Sequence, residues 1–202
     1  MLLINFPELF HYFIAYKPFQ VLSQFTSQEG KQTLKNFFRV PKDVYPLGRL
    51  DYDSEGLLIL TDDKQLNYRL LHPDLAHERE YWVQVEGEIS EHAINTLQSG
   101  VSINISGKMY KTKKCKAGKF LTVPDLPERY PPIRYRKDIP VSWIRMILRE
   151  GKNRQVRKMT AAVGFPTLRL VRYRIEQLTI DKLEPGEMIA MSKTEMYKKL
   201  FG

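Results

Sequence analysis

Hydrophobic and polar positions follow two different patterns along the chain. Continuous apolar runs such as GLLILT at 56–61, and alternating segments such as REYWVQVEGEI at 79–89, are typical of strands. Elsewhere apolar residues recur every three or four positions, which is typical of amphipathic helices. These patterns predict strands within 10–25 with a turn at Pro18, at 56–61, at 79–89, within 101–125, at 141–150 and at 167–175, and helices at 29–38, 62–72, 90–100, 153–164 and 192–201.

Residues with strong preferences for helix ends support several of these boundaries. Ser90 is a typical N-cap and Gly100 a typical terminator for the helix between them. Ser192 and Glu195 form a capping-box sequence at the start of the last helix. The lysine-rich segment 108–119 is a candidate β-hairpin. Because helices and strands mix without a strict βαβ alternation, the predicted fold class is α+β, with a mixed, mainly antiparallel sheet and flanking helices.

The composition is that of a folded protein. A chain of 202 residues with 43% hydrophobic content can bury a substantial core, and we expect a single domain over 1–202, with a candidate lobe boundary near 99–107 and no extra N-terminal module. The single cysteine, Cys115, excludes an intramolecular disulfide. The apolar segment 1–18 lacks a basic start and a cleavage site, so it predicts a first core strand rather than a signal peptide or membrane span. We therefore expect a cytoplasmic protein without a membrane partner.

Positive charge is concentrated in one part of the sequence. The formal net charge is +9, and residues 129–174 contain thirteen Lys or Arg against two acids. The rest of the chain is slightly acidic, which favours one basic surface directed at a polyanion. Arginine suits phosphate in particular, because its guanidinium forks onto phosphate oxygens. A solvated basic surface without a ligand is the simpler alternative.

The segment GRLDYDSEGLLILTDD at 48–63 contains several carboxylates. Alternating acids followed by a glycine look like the first half of a calcium loop, but Pro46 and Gly48 stand where a helix should lead into it. A divalent-metal nuclease would also need these carboxylates. Asp62 and Asp63 are more simply explained by a helix N-terminus, where anionic side chains are stabilised. No metal site is therefore predicted.

Asp51 is left with two interpretations. It follows Arg49 and the apolar Leu50 on a turn between two strand-like runs, where it can either cap the turn or point into a cleft. Asp53 and Ser54 are better placed to cap the turn, which favours the cleft for Asp51. The residues alone do not decide the matter.

Three motifs, in order along the chain, resemble those of one enzyme family. GRLDYDSEGLLILT at 48–61 is similar to the G-R-L-D-x-x-[ST]-x-G-L-L signature of the RNA pseudouridine synthases of the RsuA/RluB/RluE/RluF family. YKPFQVL at 16–22 resembles the family's first motif, and the segment 150–175, which begins EGKNRQVRKM, resembles its third. The similarity covers nearly the whole chain, and PPIRYRKDIPVSW at 131–143 is closest to members that act on 23S ribosomal RNA.

The resemblance implies an isomerase that converts uridine to pseudouridine in ribosomal RNA, in a cleft between two α+β lobes. The reaction breaks the N-glycosidic bond, turns the base and rejoins it through carbon, so no metal or other cofactor is implied. Asp51 matches the carboxylate nucleophile. Tyr81 matches the active-site tyrosine, which can face a flipped uracil; a core strand tyrosine, with Trp82 on the opposite face, is the alternative. Arg157 matches the basic residue that pairs with the catalytic aspartate and favours its charged form.

Other basic residues are candidates for contacts with RNA phosphates. Helical spacing places Arg154, Arg157 and Lys158 on one face of the helix at 153–164, with Val156 turned to the core. The family often has a basic residue where this chain has Tyr52, which could alter the RNA contacts. Each candidate could instead be a solvated surface charge. The candidates are Lys17, Arg49, Arg149, Lys152, Arg154, Lys158, Arg169 and Arg172.

Two further functions stay open beside the isomerase. One is a non-catalytic RNA-binding or ribosome-assembly protein with the same fold, and the other is the metal nuclease. For the isomerase, the expected partner is ribosomal RNA, and a 23S stem-loop would present an already strained base. A monomer is expected.

Overall fold

The structure is a computed structural model that describes residues 10–133 and 137–202. The expected strand residues 1–9 and residues 134–136 of the proline-rich loop lie outside the described residues. The strands are β1 (Tyr12–Lys17), β2 (Val21–Leu22), β3 (Gln32–Thr33), β4 (Tyr45–Pro46), β5 (Glu55–Thr61), β6 (Arg79–Glu86), β7 (Ser102–Ile105), β8 (Lys108–Lys111), β9 (Lys116–Lys119), β10 (Val141–Leu148), β11 (Thr167–Ile175), β12 (Leu178–Thr179) and β13 (Met188–Ala190). The helices are α1 (Lys64–Leu71), α2 (Glu91–Ser99), α3 (Gln155–Ala162) and α4 (Lys193–Phe201), with short 3-10 helices at Leu34–Asn36 and Pro73–Leu75.

Nine strands form one large sheet in the order β13-β1-β5-β11-β6-β10-β9, with β4 paired to β5 and β12 to β11. The described pairings in this sheet are antiparallel except for β11 with β5, where Arg172 lies opposite Gly56. The predicted fold class, α+β with a mainly antiparallel sheet, is confirmed. Gly56 is required at this junction because a Cβ there would lie 2.3 Å from the Arg172 carbonyl oxygen. Strand β11, which lies between β5 and β6, thus joins the two halves of the sheet.

Three hydrophobic clusters cover the faces of this sheet. One packs β1, β5 and β11 against α1 and α4 through residues such as Ile59 and Met196. A second packs β6 and β10 against α2 and α3, and a third covers the other face of β1 and β5. All seven residues of β5 are buried, which explains its continuous apolar sequence. The candidate lobe boundary at 99–107 covers the end of α2, strand β7 and the turn before β8.

Most predicted helices form, with the expected caps. Asp63 caps α1 by accepting hydrogen bonds from the backbone N–H groups of Gln65 and Leu66. Ser90 caps α2 and Ser192 caps α4 in the same way. Within the described ranges, no helix is long and apolar enough to cross a membrane.

Two sequence predictions are wrong. The segment 29–38 is not a helix beyond Leu34–Asn36, because β3 pairs in parallel with β2 and Gly30 adopts a positive φ of 69°. The segment 108–119 is not one hairpin either. Its first strand, β8, pairs with β7, whereas β9 pairs with β10 at the edge of the large sheet.

Candidate active site

A cavity of about 740 Å³ opens where four parts of the fold meet. Its walls are the loop 47–54 between β4 and β5, the C-terminal end of α1, strands β6 and β11, and the segment 149–154 that precedes α3 together with the β8 side of the hairpin. Asp51 and Tyr81 both line it. The cavity therefore brings together residues of all three sequence motifs, at 16–22, 48–61 and 150–175.

Asp51 presents its carboxylate to this cavity. The loop that carries it is fixed by Ser23, whose hydroxyl donates to the carbonyl oxygen of Leu50 and accepts from its N–H, at 2.8 and 3.0 Å. The turn is closed by the backbone, since the Ser54 N–H donates to the Asp51 carbonyl oxygen at 3.0 Å. The Asp51 side chain is 31% exposed, and among the described residues the cation within ion-pair distance is Arg154, with Nη1 3.8 Å from Oδ2. This arrangement supports the cleft interpretation of Asp51.

Asp53, two residues further on, is held by cations instead. Arg154 donates to both of its carboxylate oxygens, at 2.8 and 2.7 Å, and Arg157 Nε lies 3.4 Å from Oδ2. Burial works to raise the pKa of Asp53, but the hydrogen bonds from Arg154 and the charges of Arg157 and Arg154 outweigh it, so the pKa is lowered overall. The two carboxylates of the loop thus have different surroundings.

The expected pairing of Arg157 with Asp51 is not what the structure shows. Arg157 is largely buried, donates to the carbonyl oxygen of Asp53 and forms its ion pair with that residue. Arg154 is the cation that lies beside both carboxylates. It does so from a left-handed conformation before α3, with a φ of 53°, and not from a helical face shared with Lys158. The helix is otherwise oriented as predicted, because Val156 is buried against the core.

Tyr81 reaches the cavity from the centre of the sheet. On β6 it lies opposite Arg172 of β11, while the next residue, Trp82, points to the other face and stacks on Tyr173 with ring centroids 3.7 Å apart. The alternation predicted for Tyr81 and Trp82 is therefore confirmed. Arg172 also lines the cavity, and its charge lies close enough to interact with Tyr81.

Arg172 is a buried group of the cavity and not a surface contact for phosphate. Its Nε donates a hydrogen bond to the Leu57 carbonyl oxygen at 2.8 Å. Its Nη2 has no hydrogen-bond partner within the described residues. Burial lowers the pKa of the guanidinium. A cation with an unused donor beside Tyr81 can meet an oxygen of a bound substrate.

Two other phosphate candidates are also buried. Arg169 forms a two-pronged ion pair with the buried Glu55, with both N–O distances 2.9 Å. Lys17 is fully buried, and its Nζ donates to the carbonyl oxygens of Pro18 and Val21 at 2.8 and 2.7 Å. These side chains stabilise the protein beneath the loop 47–54, so the prediction that they contact phosphate is wrong for this structure.

Four of the five remaining candidates are exposed and line the cavity rim. These are Arg49, Arg149, Lys152 and Arg154. Arg149 forms an ion pair with Glu78, whose carboxylate lies 3.1 Å from Nη2, and the arginine side chain is still 65% exposed. Lys158 is partly buried and does not line the cavity.

Several residues of the rim were missed by sequence reasoning. Glu150 accepts hydrogen bonds from the Tyr110 hydroxyl at 2.5 Å, the Lys113 N–H at 2.9 Å and the side chain of Gln155 at 2.6 Å. Tyr110 and Lys113 line the cavity, so this carboxylate connects the β7–β8 hairpin to the start of α3. The signal in the sequence is that Glu150 is one of only two acids in the basic stretch 129–174.

Two of the carboxylates that a metal hypothesis would use, Asp62 and Asp63, have other partners. Asp62 bonds to the backbone and ring of His11, at 2.7 and 2.8 Å, and Asp63 caps α1. Across 10–133 and 137–202, no three His, Cys, Asp or Glu side chains are grouped to hold a metal ion.

Comparison with known proteins identifies the class to which this fold and cavity belong. The sequence profile of the RNA pseudouridylate synthase family matches residues 11–162. The chain therefore belongs to this family, and it is an RNA pseudouridine synthase.

The relatives narrow the class further. The chain is 47% identical over 180 residues to the ribosomal large subunit pseudouridine synthase E of Xanthomonas axonopodis pv. citri, covering 88% of this chain and 92% of that protein. It is 45% identical over 171 residues to the synthase of the same name from Vibrio parahaemolyticus, covering 85% of this chain and 69% of the relative. It is 31% identical to the ribosomal large subunit pseudouridine synthase B of Bacillus subtilis, over 92% of this chain and 69% of that one.

A solved structure agrees with the fold. The crystal structure of a pseudouridylate synthase superposes with a TM-score of 0.76 at 27% identity, covering 96% of this chain and 76% of the other.

Proposed function

We propose that this enzyme isomerises a uridine of large-subunit (23S) ribosomal RNA, with Asp51 as the nucleophile. The target is supported by the relatives that are named as large-subunit synthases, two of which are 45% and 47% identical to this chain. The role of Asp51 is supported by the position of its carboxylate, which faces the cavity and makes no side-chain hydrogen bond within the described residues. Its neighbour Asp53, in contrast, is bound by two arginines.

The cavity side chains fit the steps of the reaction. A uridine must leave its helix or loop stack to enter the cavity, which costs a few kcal/mol. The Asp51 carboxylate can then act as nucleophile while the N-glycosidic bond breaks, as carboxylates do in sugar chemistry. After the base turns, carbon 5 bonds to the sugar, the proton on carbon 5 is lost and N1 gains a proton, so the product is an isomer of the substrate.

Two further residues can guide the freed uracil. Tyr81 offers an aromatic face for the base and a hydroxyl that can exchange a proton. The Nη2 group of Arg172 can donate to a uracil carbonyl or to a carboxylate oxygen, because it has no partner within the described residues. Arg157 acts one step further away, since it holds Asp53 and the loop next to Asp51.

The rest of the substrate lies outside this cavity. The exposed cations of the rim can contact phosphates around the target uridine, which fixes the position of the RNA without reading its sequence. We expect a stem-loop of 23S ribosomal RNA as substrate, a single catalytic domain that acts as a monomer, and a cytoplasmic site of action where ribosomal RNA is matured.

The test is pseudouridine formation on transcribed ribosomal RNA. Fragments of 23S RNA, with 16S RNA as the matched control, are incubated with wild-type protein and with Asp51→Asn, and pseudouridine is mapped by mass spectrometry. We expect one modified site in 23S RNA with the wild type and none with the variant. Product in 16S RNA alone would refute the target, and undiminished product with Asp51→Asn would refute the nucleophile.

A further inference from the structure

Two tyrosines at the edge of the cavity each carry a lysine beside their ring. Lys31 Nζ lies 5.3 Å from the ring centroid of Tyr52, and Lys152 Nζ lies 5.0 Å from that of Tyr110. Both tyrosines line the cavity that holds Asp51. The same pairing of an aromatic ring with a cation thus occurs twice, on two separate walls.

The rings are anchored by their own elements. Tyr52 follows Asp51 directly, and its carbonyl oxygen accepts a hydrogen bond from the Gln20 N–H at 2.8 Å. Tyr110 is on β8, opposite Ile103 of β7, and its hydroxyl donates to Glu150 at 2.5 Å. Hydrogen bonding to Glu150 raises the pKa of Tyr110, with burial as the second cause, so the phenol stays protonated and keeps this bond.

Both rings are only partly buried at the cavity wall, and Tyr110 packs in part against the hydrophobic cluster of β6 and β10. Each lysine approaches one face of its ring, and within the described ranges neither Tyr52 nor Tyr110 stacks on another aromatic ring. Single-stranded RNA is bound by this combination in general, since bases stack on aromatic faces while neighbouring cations hold the backbone phosphates. Flipping one uridine into the cavity also removes stacking partners from the bases on both sides of it.

We propose that the pairs Tyr52–Lys31 and Tyr110–Lys152 are two stacking subsites for the nucleotides adjacent to the flipped uridine. Each tyrosine takes one neighbouring base, and each lysine takes a phosphate of the same nucleotide. The subsites lower the cost of flipping because they replace the stacking that the neighbouring bases lose. This inference rests on the proposed RNA substrate at the Asp51 cavity.

The test is a binding cycle that varies both the protein and the RNA. The probe is a fluorescent heptamer with one central uridine flanked by adenosines, compared with heptamers in which the base on the 5′ or the 3′ side of the uridine is missing. Fluorescence anisotropy gives the Kd for the wild type and for Tyr52→Ala and Tyr110→Ala. We expect each variant to bind the intact heptamer roughly 5- to 100-fold more weakly, the range for loss of one stacked base.

The position of the missing base gives the decisive result. We expect each alanine variant to become insensitive to one missing base, with Tyr52 and Tyr110 reporting on different sides of the uridine. The proposal would be overturned if, for both variants, the loss of affinity from the alanine substitution multiplied with the loss from a missing base on either side of the uridine. Wild-type affinity in either alanine variant would overturn it as well.

Matched controls separate stacking from folding and from the proposed function. Tyr52→Phe and Tyr110→Phe keep the ring, so we expect Kd within about 3-fold of the wild type; for Tyr110 this also removes the bond to Glu150 without removing the stack. Tyr130 is 89% exposed and lies outside the cavity lining, so Tyr130→Ala should bind as the wild type does. Phenylalanine variants as weak as the alanine variants would overturn the stacking role. Because binding is read without turnover, a failure to modify 23S RNA would count against the proposed function alone.

Discussion

The basic residues beneath the active-site loop and those around its rim have the same chemistry but different partners. Lys17 and Arg169 are buried, and their donors are used by protein carbonyls and by Glu55. Arg149 and Lys152 are exposed at the cavity edge and face solvent. Charge in the sequence therefore divides into cations that stabilise the protein and cations that are available to RNA.

The difference follows from where the strands place each residue. Arg169 and Arg172 are on β11, which lies between β5 and β6 in the middle of the sheet, so their side chains are enclosed. The rim cations are on loops, where the backbone keeps them at the surface. Burial, and not the number of positive charges, determines which arginines and lysines can bind a phosphate.

The largest effect is expected from breaking the buried ion pair. Arg169→Met leaves the Glu55 carboxylate, which is 1% exposed, without its partner, and we expect the free energy of unfolding to fall by about 3–5 kcal/mol. Urea unfolding followed by circular dichroism measures this. In the double variant Arg169→Met/Glu55→Leu both charges are gone, so most of the loss should be recovered. A loss below about 1 kcal/mol in the single variant would show that the pair is not buried as described.

Lys17→Met is expected to destabilise the protein somewhat less. The variant leaves the carbonyl oxygens of Pro18 and Val21 without a donor, which we expect to lower the free energy of unfolding by about 2–3 kcal/mol. RNA affinity, measured under conditions where the variant is folded, should change less than about 3-fold because this ammonium does not reach solvent. A large loss of affinity with unchanged stability would move Lys17 to the RNA-binding group.

Lys17 also gives the stability a defined pH dependence. Burial lowers its pKa from 10.5 to about 7, although Glu55, Asp53 and Asp51 act to raise it. Between these two values the unfolded chain binds more protons than the folded protein, so stability should rise with pH across this window. Relative to Lys17→Met, the wild type is expected to gain about 1–3 kcal/mol between pH 7 and pH 10.5, with no change below pH 7. A flat difference across the window would contradict the buried position of the ammonium.

The rim cations should show the opposite behaviour. For Arg149→Gln and Lys152→Gln we expect the unfolding free energy to stay within about 0.5 kcal/mol, because exposed substitutions rarely cost more. RNA affinity should fall roughly 3- to 10-fold for each, and the slope of log Kd against log salt should decrease by about 0.7–1 per lost phosphate contact. Titrations at several salt concentrations give both quantities. An unchanged slope would remove that residue from the interface.

The smallest effect is expected for Lys158. It shares the basic motif with Arg154 and Arg157 but does not line the cavity. Lys158→Gln should therefore change RNA affinity less than about 2-fold and leave the salt slope as it is. An effect as large as that of Lys152→Gln would extend the RNA contact beyond the rim.

Much of the fold could be predicted because its signals are local. The caps at Asp63 and Ser90, the apolar run of β5 and the alternation of β6 lie within short segments, and each element formed as predicted. Pairing between strands is not local. The segment 108–119 contains two similar lysine-rich strands, and nothing within it shows that β9 joins β10 while β8 joins β7.

The site residues that have a local sequence signal could also be predicted, whereas their distant partners could not. Asp51 lies in the motif at 48–61, Tyr81 was assigned from the resemblance to the family's active-site tyrosine, and both line the cavity. The partners of the basic residues could not be predicted, since Arg169 meets Glu55 across 114 positions and Arg157 meets Asp53 across 104. Such contacts depend on how β11 and α3 pack against the loop, which the order of residues does not reveal.

The central claim is that Asp51 is the reacting carboxylate and Asp53 a positioning one. The most direct measurement compares Asp51→Asn with Asp53→Asn in single-turnover pseudouridine formation on 23S RNA, with RNA binding and unfolding measured for both. We expect Asp51→Asn to lose roughly 10⁴-fold or more in rate while it still binds RNA. Asp53→Asn should remain active, with a loss of about 10- to 100-fold because Arg154 and Arg157 are no longer held in place. Robust turnover by Asp51→Asn, or complete inactivity of a folded Asp53→Asn alone, would contradict the account.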